Sequence, residues 1–251
     1  MEQRSKSHAA KASFTAATYN VHSWVNRSGR RTPLKTIEVV KSLDADVVAL
    51  QEAVLDPPGD ESLTAEDLAR ALGMQVIPGP TMLRSDARFG NLLLLKFPVL
   101  SERRWDLSVR KREPRGLLEV ETKIHGRSVR ILATHLGLRL RERARQMRRL
   151  VQIARQGENA PTVLLGDMNA WLECAPWYTE LKKFFSDQAK ERTFPAACPT
   201  LSFDRIMVGG GLAISAAEVA KSPQARNASD HLPVRARLIL PAAACRPGTP
   251  T

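Results

Sequence analysis

Residues 162–169 read Thr-Val-Leu-Leu-Gly-Asp-Met-Asn, a short apolar run that ends in two polar side chains, Asp167 and Asn169. An apolar run of this length, bounded by turn-forming residues, predicts a strand buried on both faces. The same pattern occurs three more times, with 16–19 before Asn20, 47–51 before Glu52 and 131–134 before His135. The sequence therefore predicts several buried strands that end in chemically active side chains.

Two further polar groups flank strands near the C-terminus. Asp204 opens the run Asp-Arg-Ile, and Ser-Asp-His at 229–231 precedes the last apolar segment. A single strand-end Asp or Asn is common in turns, where it bonds locally to the backbone. Six such strand ends favour a different interpretation, because rigid strands hold catalytic groups at one rim of a sheet.

The remaining periodicity predicts an α+β fold with two packed sheets. Predicted strands cover 13–21, 46–50, 74–77, 91–96, 117–123, 129–135, 162–166, 203–208 and 234–240, and predicted helices cover 34–43, 68–72 and 140–154. The stretch 91–135 contains only strands joined by short turns, which favours antiparallel pairing. We expect one domain over 13–241, with flexible termini at 1–12 and 242–251.

The third predicted helix is rich in arginine. Its apolar residues at helical spacing are Leu140, Ala144, Met147, Val151 and Ala154, and its arginines, Arg143 among them, are expected on the other faces. A solvated face and a polyanion-binding face both fit this pattern. Similarly, the net charge of +12 favours nucleic acid or an anionic lipid surface as partner, although an arginine-rich proteome alone produces such surfaces.

Composition also restricts location. The chain has no apolar run long enough to cross a bilayer and no secretion signal, so no transmembrane segment is expected. Its three cysteines are widely spaced and form no C-x-x-C pair, which argues against a disulfide framework or zinc cluster and suits a reducing cytoplasm.

The polar residue types indicate a reaction. Oxygen ligands such as Glu52, Asp230 and Asn20 suit a hard cation, for which Mg²⁺ is expected and Mn²⁺ is the alternative. Histidines and carboxylates supply proton transfer and phosphate stabilisation, as magnesium-assisted phosphoester hydrolysis requires. Since no Cys or activated Ser motif accompanies them, water is the expected nucleophile.

Seven strings in this order resemble the endonuclease/exonuclease/phosphatase family. They are T-Y-N-V-H at 18–22, L-Q-E at 50–52, G-N at 90–91, T-H-L-G at 134–137, G-D-M-N at 166–169, F-D-R-I at 203–206 and S-D-H-L-P at 229–233. The resemblance spans about residues 15–238 and implies a four-layer αββα sandwich of two mainly antiparallel sheets flanked by helices. It implies Glu52 as the principal Mg²⁺ ligand, with Asn20 and Asp230 completing or supporting the metal site.

The resemblance also implies catalytic roles for five residues. Asp167 would position or deprotonate the attacking water, and Asn169 would hold a phosphate oxygen. His231, oriented by Asp204, would face the phosphate. His135 would donate to another phosphate oxygen or to the leaving group.

Substrate-binding candidates are Asn91, Arg115 and Trp171. Asn91 fits a place near the phosphate or in a turn, and Trp171 fits base stacking or packing equally well. Tyr19-Asn20 stands where the family's abasic-site repair enzymes have Trp-Asn, which disfavours DNA repair. We expect a monomeric phosphodiesterase acting on nucleic acid or on a lipid or small-molecule diester. A phosphomonoesterase of the same family and a non-catalytic basic binding module remain as alternatives.

Overall fold

The computed structural model describes residues 12–58, 63–157, 159–170 and 176–241. Their strands are Ser13–Asn20 (β1), Val47–Leu55 (β2), Gln75–Arg84 (β3), Ala87–Leu95 (β4), Val99–Asp106 (β5), Gly116–Ile124 (β6), Arg127–His135 (β7), Thr162–Asp167 (β8), Asp187–Ala189 (β9), Asp204–Gly209 (β10), Ala213–Val219 (β11) and Val234–Ile239 (β12). Their α-helices are Pro33–Ser42 (α1), Ala65–Leu72 (α2), Leu140–Arg155 (α3), Pro176–Phe184 (α4) and Pro223–Ala228 (α5). Apart from Ala12, the termini predicted to be flexible lie outside the described residues.

The strands form two six-stranded sheets with the same pattern of pairing. The first sheet has the order β11-β12-β1-β2-β4-β3 and the second β5-β6-β7-β8-β10-β9. Each has one parallel pair, β1 with β2 and β7 with β8, and its other pairs are antiparallel. Parallel neighbours need a crossover, which α1 and α3 provide. Consequently β1 and β2 finish at one end of their sheet, as β7 and β8 do in theirs, and a hydrogen bond from Asn20 to Asp167 shows that the two ends meet.

Three apolar layers hold the sandwich together. Side chains such as Val47, Ile131 and Val163 pack between the two sheets. Alternate residues of the same strands point outward, where one sheet packs against α1, α2 and α5 and the other against α3 and α4. Burial on both faces explains the nearly continuous apolar runs of the central strands. The predicted four-layer αββα architecture is confirmed.

The elements missing from the sequence prediction are edge strands and short helices. β5, β9 and β11 lie at sheet edges, and β5 carries Glu102, Arg103 and Arg104 on its exposed positions. Edge strands bury little surface, so their hydrophobic pattern is weak. Helix α5 has only six residues, of which Ala225 and Ala228 are buried.

The first two helices begin differently. A capping box starts α2, because Thr64 accepts from the Asp67 amide and Asp67 accepts in return from the Thr64 amide. Thr32 precedes Pro33 at the start of α1, but its side chain makes no capping hydrogen bond. None of the described helices is both long enough and apolar enough to span a membrane.

Candidate active site

The predicted polar residues meet at the end where the central strands finish. Asn20 ends β1, His135 ends β7 and Asp167 ends β8. Asp204 opens β10 directly opposite Asp167, because β10 runs antiparallel to β8. His135 is likewise the parallel-register partner of Asp167. Sheet pairing therefore fixes the relative positions of three of these side chains.

Glu52 reaches the same end by a different route. The sequence predicts a strand ending before Glu52, but β2 continues to Leu55. The pairing of β2 with β4 shifts register between Leu50 and Ala53, and Glu52 has a φ of 55°. A bulge of this kind re-aims a side chain within a continuing strand. Its side chain is 24% exposed, whereas that of Asp167 is almost fully buried at 1%.

The buried Asp167 carboxylate is the centre of the arrangement. Its Oδ2 atom lies 3.1 Å from Asn20 Nδ2, 3.6 Å from His135 Nε2 and 3.8 Å from His231 Nε2. Its Oδ1 atom accepts a 2.8 Å hydrogen bond from the Asn169 backbone amide. One carboxylate thus contacts groups from both sheets, and both imidazoles present their Nε2 atoms toward it.

The Asn20 side chain links two carboxylates. Its Nδ2 donates to Glu52 Oε1 at 3.0 Å as well as to Asp167, and its Oδ1 accepts from the His22 backbone amide at 3.0 Å. The Asn20 amide therefore orients both carboxylates, while its oxygen holds the backbone of the residue after next.

His231 is held by a chain of buried groups. Its Nδ1 lies 2.8 Å from Asp204 Oδ2, which also accepts from the Thr193 hydroxyl at 2.5 Å. Phe194 and Phe203 pack against the ring, with centroids 4.8 and 6.2 Å away. Burial alone would lower the pKa of His231, but the charge of Asp204, its hydrogen bond and the charges of Asp167 and Asp230 raise that pKa to about 10. His231 is therefore an imidazolium at neutral pH.

His135 has the opposite electrostatic character. Burial lowers its pKa to about 3, with the Arg115 and His231 charges acting in the same direction against the charge of Asp167. Arg115 Nη1 lies 3.1 Å from Nδ1, and Asn169 Nδ2 lies 3.1 Å from Nε2. Both groups can only donate, and a neutral imidazole has a single acceptor nitrogen.

The positive charge of Arg115 determines which of the two contacts to His135 is a hydrogen bond. A proton on Nδ1 would face the Arg115 guanidinium, whereas a proton on Nε2 faces the carboxylates of Asp167 and, at 4.0 Å, Glu52. We therefore assign the hydrogen bond to Arg115 and the proton to Nε2. The Asn169 amide donates instead to the Leu136 carbonyl at 2.9 Å.

Helix α3 fixes the loop that follows His135. Gln146 accepts from the Gly137 amide at 2.8 Å, and Arg143 donates to the carbonyls of Gly137 and Leu138 at 3.1 and 2.6 Å. The expectation that Arg143 is exposed is wrong, because it is 1% exposed, and Leu140 is 52% exposed instead of buried. The backbone carbonyls of the loop compensate the burial of this guanidinium.

The structure describes two of the three candidate substrate-binding residues. Asn91 lies inside β4, not in a turn, and donates to the Gly116 carbonyl at 3.3 Å. Asn91 and Arg115 line one small cleft together with Glu52 and His135. Trp171 lies outside the described residues.

Asp230 sits at the solvent side of the site. Its side chain is 40% exposed, and its carboxylate lies 3.3 Å from the Ser229 hydroxyl oxygen and 3.7 Å from His22 Nδ1. The Ser229 hydroxyl donates its proton to the nearer Asn20 carbonyl at 2.7 Å, which ties this loop to the end of β1. Thr193 and Arg143 are supporting residues that the sequence motifs did not assign. The only signal for Thr193 is its place in the string R-T-F-P.

Comparison with known proteins finds a matching family model and a relative of similar length. A sequence model described as the Endonuclease/Exonuclease/phosphatase family matches residues 17–231. The Uncharacterized protein YbhP of Escherichia coli (strain K12) is 28% identical over 246 residues, which cover 91% of this chain and 97% of that protein.

Two solved structures are similar in fold. The endonuclease/exonuclease/phosphatase from Beutenbergia cavernae DSM 12333 has a TM-score of 0.75 and 22% identity, covering 93% of this chain and 73% of that one. The mannosyl-6-phosphatase Bt3783 of Bacteroides thetaiotaomicron VPI-5482 has a TM-score of 0.72 and 20% identity, covering 90% of this chain and 100% of that one.

Proposed function

Because this chain belongs to the endonuclease/exonuclease/phosphatase family, whose members hydrolyse phosphoesters, we propose that it is a divalent-metal-dependent phosphodiesterase that uses water as its nucleophile. The observation that carries the proposal is the convergence of two imidazole Nε2 atoms on Asp167, at 3.6 and 3.8 Å. A carboxylate and two N–H donors around one point suit attack of water on a phosphate.

The two histidines would bind the phosphate in different ways. His231 carries a positive charge and would donate from Nε2 to a phosphate oxygen, while Asp204 holds Nδ1. His135 is neutral and would donate from Nε2 to a second oxygen or to the leaving group. The Arg115 charge behind His135 adds to the positive potential of the site. Fixed donors of this kind stabilise the charge that develops in the transition state.

Asp167 would orient the water and take up its proton. Its two oxygens already accept from Asn20 and from the Asn169 backbone, so the carboxylate cannot rotate freely. The Asn169 side chain, next to His135, would contact another phosphate oxygen. These roles leave proton transfer and charge stabilisation to separate residues.

Mg²⁺, or Mn²⁺ in its place, would be held by Glu52 with Asp230, both of which are partly exposed oxygen donors. When bound, the ion supplies Lewis-acid polarisation of the phosphate. Ligand atoms of Asp167, Asp204 and His231 also lie within 4.8 Å of one another. That group fits an ion less well, because Asp204 Oδ2 already binds His231 Nδ1 and the Thr193 hydroxyl. We propose that Asn20 supports the site by holding Glu52.

The family covers several substrates, and the solved relative Bt3783 is described as a mannosyl-6-phosphatase. A phosphomonoester substrate is therefore the second candidate. A cytoplasmic location and a monomeric state remain predictions from the sequence. The described cysteine, Cys198, is an exposed free thiol, which a reducing compartment suits.

The test is a hydrolysis panel with Mg²⁺, Mn²⁺ or EDTA. Substrates are bis-p-nitrophenyl phosphate, p-nitrophenyl phosphate, mannose 6-phosphate, single-stranded RNA, plasmid DNA and a phospholipid. We expect metal-dependent cleavage of a diester, lost in Glu52→Gln and retained in Glu38→Gln, an exposed position of α1. Activity that survives EDTA, or that is confined to monoesters, would overturn the proposal as stated. A folded wild-type protein that cleaves no member of the panel would support the non-catalytic binding module.

A further inference from the structure

Exposed leucines are concentrated at the active-site end of the molecule. The large hydrophobic side chains exposed in the described part of the chain are Leu34, Leu83, Leu100, Leu138 and Leu140. Leu138 and Leu140 follow the end of β7, and Leu34 lies in the first turn of α1, after the loop from β1. Leu83 pairs with Arg88, which pairs with Leu55 at the end of β2. Only Leu100, at the start of β5, lies at the opposite end.

These leucines alternate with or adjoin basic residues. Residues 138–141 read Leu-Arg-Leu-Arg, with the leucines 67% and 52% exposed, and Leu83, 70% exposed, precedes Arg84. The neighbouring loop contributes Arg110, Lys111 and Arg112, all exposed. We call residues 83–86, 110–113 and 138–141 the basic rim. It holds six basic and two acidic residues, for a net charge of +4.

The basic rim borders the catalytic cleft directly. Arg84 bonds to Glu113 at 3.3 Å, and Glu113 bonds to Arg115 at 2.9 Å. Arg115 in turn contacts His135, while Leu138 lies three residues after that histidine. A surface that contacts the basic rim would therefore cover the mouth of the site.

We propose that the basic rim docks on an anionic phospholipid bilayer, with Leu138 and Leu140 inserted at the boundary between headgroups and acyl chains. Arginines attract the negative surface, and their long stems allow the charged ends to stay among the headgroups. Apolar side chains next to such cations are typical of interfacial binding. The inference stands on surface features and does not depend on the proposed chemistry.

Two other occupants fit the basic rim less well. A nucleic-acid strand would use the cations, but aliphatic leucines add nothing to phosphate recognition, and the basic rim contains no aromatic residue for base stacking. A second copy of this chain would cover the leucines but would bring two positively charged surfaces together. An anionic bilayer can bind both the basic side chains and the exposed leucines of the basic rim.

The experiment is vesicle co-sedimentation of the full chain in EDTA, so that turnover plays no part. Vesicles of phosphatidylcholine are compared with vesicles that also contain phosphatidylglycerol. We expect binding only to the anionic vesicles, decreasing with salt, and a loss of about tenfold or more in partitioning for Leu138→Ser combined with Leu140→Ser. The matched control, Leu100→Ser, should bind like the wild type, and thermal melting verifies that each variant is folded.

Three outcomes would overturn the inference. The first is equal binding to neutral and anionic vesicles, or none to either. The second is vesicle binding by the double serine variant at the wild-type level. The third is an equal loss of single-stranded oligonucleotide binding in that variant, or a wild-type dimer in sedimentation that becomes monomeric in it. Each would exclude the proposed docking of the leucines on an anionic bilayer, while the hydrolysis panel would still test the proposed function separately.

Discussion

A Cβ atom placed on Gly166 would lie only 1.9 Å from the backbone carbonyl oxygen of Thr134. Gly166 also has a φ of 151°, a backbone conformation that residues other than glycine rarely adopt. The two residues are parallel-register partners in β8 and β7, one position before Asp167 and His135. The missing side chain therefore allows the approach that brings the central carboxylate and His135 together.

Replacing Gly166 by alanine should destabilise the protein severely. The added methyl group clashes with backbone that cannot move without separating β7 from β8, so we expect a loss of about 3 kcal/mol or more in the free energy of unfolding. Urea denaturation measures the loss. The control is Gly73→Ala, since Gly73 also has a positive φ but has open space around its Cβ position, and it should cost only about 1 kcal/mol. Similar losses for both variants would show that the close approach is unimportant.

Removing the Arg115 guanidinium should change the proton position on His135. Arg115→Met leaves Nδ1 without its donor, so the tautomer with the proton on Nδ1 becomes accessible and competes. We expect a roughly 10- to 100-fold loss in kcat, because the tautomer that donates from Nε2 is then only partly populated. Nitrogen-15 NMR of the imidazole reports the tautomer directly. Arg112→Met, in the same exposed loop, should change neither quantity, and an unaltered His135 spectrum in Arg115→Met would contradict the assignment.

The sequence predicts the centre of the fold well because burial leaves a strong signal. Central strands such as β8 are apolar at nearly every position, and the polar side chain that ends each one stands out. Parallel pairing within the second sheet then brings His135 and Asp167 to the same end, and Asn20 meets them from the first sheet only because the two sheets pack together. Edge strands such as β5 are missed because half of their residues are solvated and charged.

Features that depend on tertiary contacts could not be predicted in this way. The bulge at Glu52 arises from the pairing of β2 with β4, not from the local sequence of β2. Arg143 resembles its exposed arginine neighbours in the chain, and its burial depends on contacts such as those with the carbonyls of the preceding loop. Thr193 is distant in sequence from His231, and its role depends on Asp204 lying between them.

Two substitutions distinguish the alternative metal sites. If Glu52 and Asp230 hold the ion, Asp230→Asn should remove most of the increase in melting temperature that Mg²⁺ gives, since a ligand stabilises the folded state by an amount that grows with the logarithm of its affinity. Asp204→Asn should retain that increase, because Asp204 is bonded to His231 and Thr193. Differential scanning fluorimetry with and without EDTA measures both. The reverse result would assign the ion to the group of Asp167, Asp204 and His231.

The charge on His231 predicts a pH-dependent contribution to the stability of the metal-free protein. Its pKa is raised from the ordinary 6.5 to about 10 in the folded state, so its contribution is fully present below pH 6.5 and is lost as pH rises toward 10. That contribution amounts to at most about 5 kcal/mol. In EDTA, His231→Gln should therefore cost much more at pH 6 than near pH 10 by urea denaturation. A cost that does not change with pH would mean that His231 is neutral in the folded protein.

Thr193 provides the last test, because it acts on the reaction only through other residues. Its hydroxyl donates to the same Asp204 oxygen that binds His231 Nδ1, while the other oxygen of Asp204 is buried without a hydrogen-bond partner among the described residues. Thr193→Val preserves the shape and removes the donor, so Asp204 is held less firmly and His231 loses its fixed orientation. We expect kcat to fall roughly tenfold with little change in KM, as one lost hydrogen bond to a charged group would produce. Thr200→Val, an exposed position in the same loop, is the matched control. An increase in KM at unchanged kcat would instead indicate that Thr193 shapes the binding of substrate.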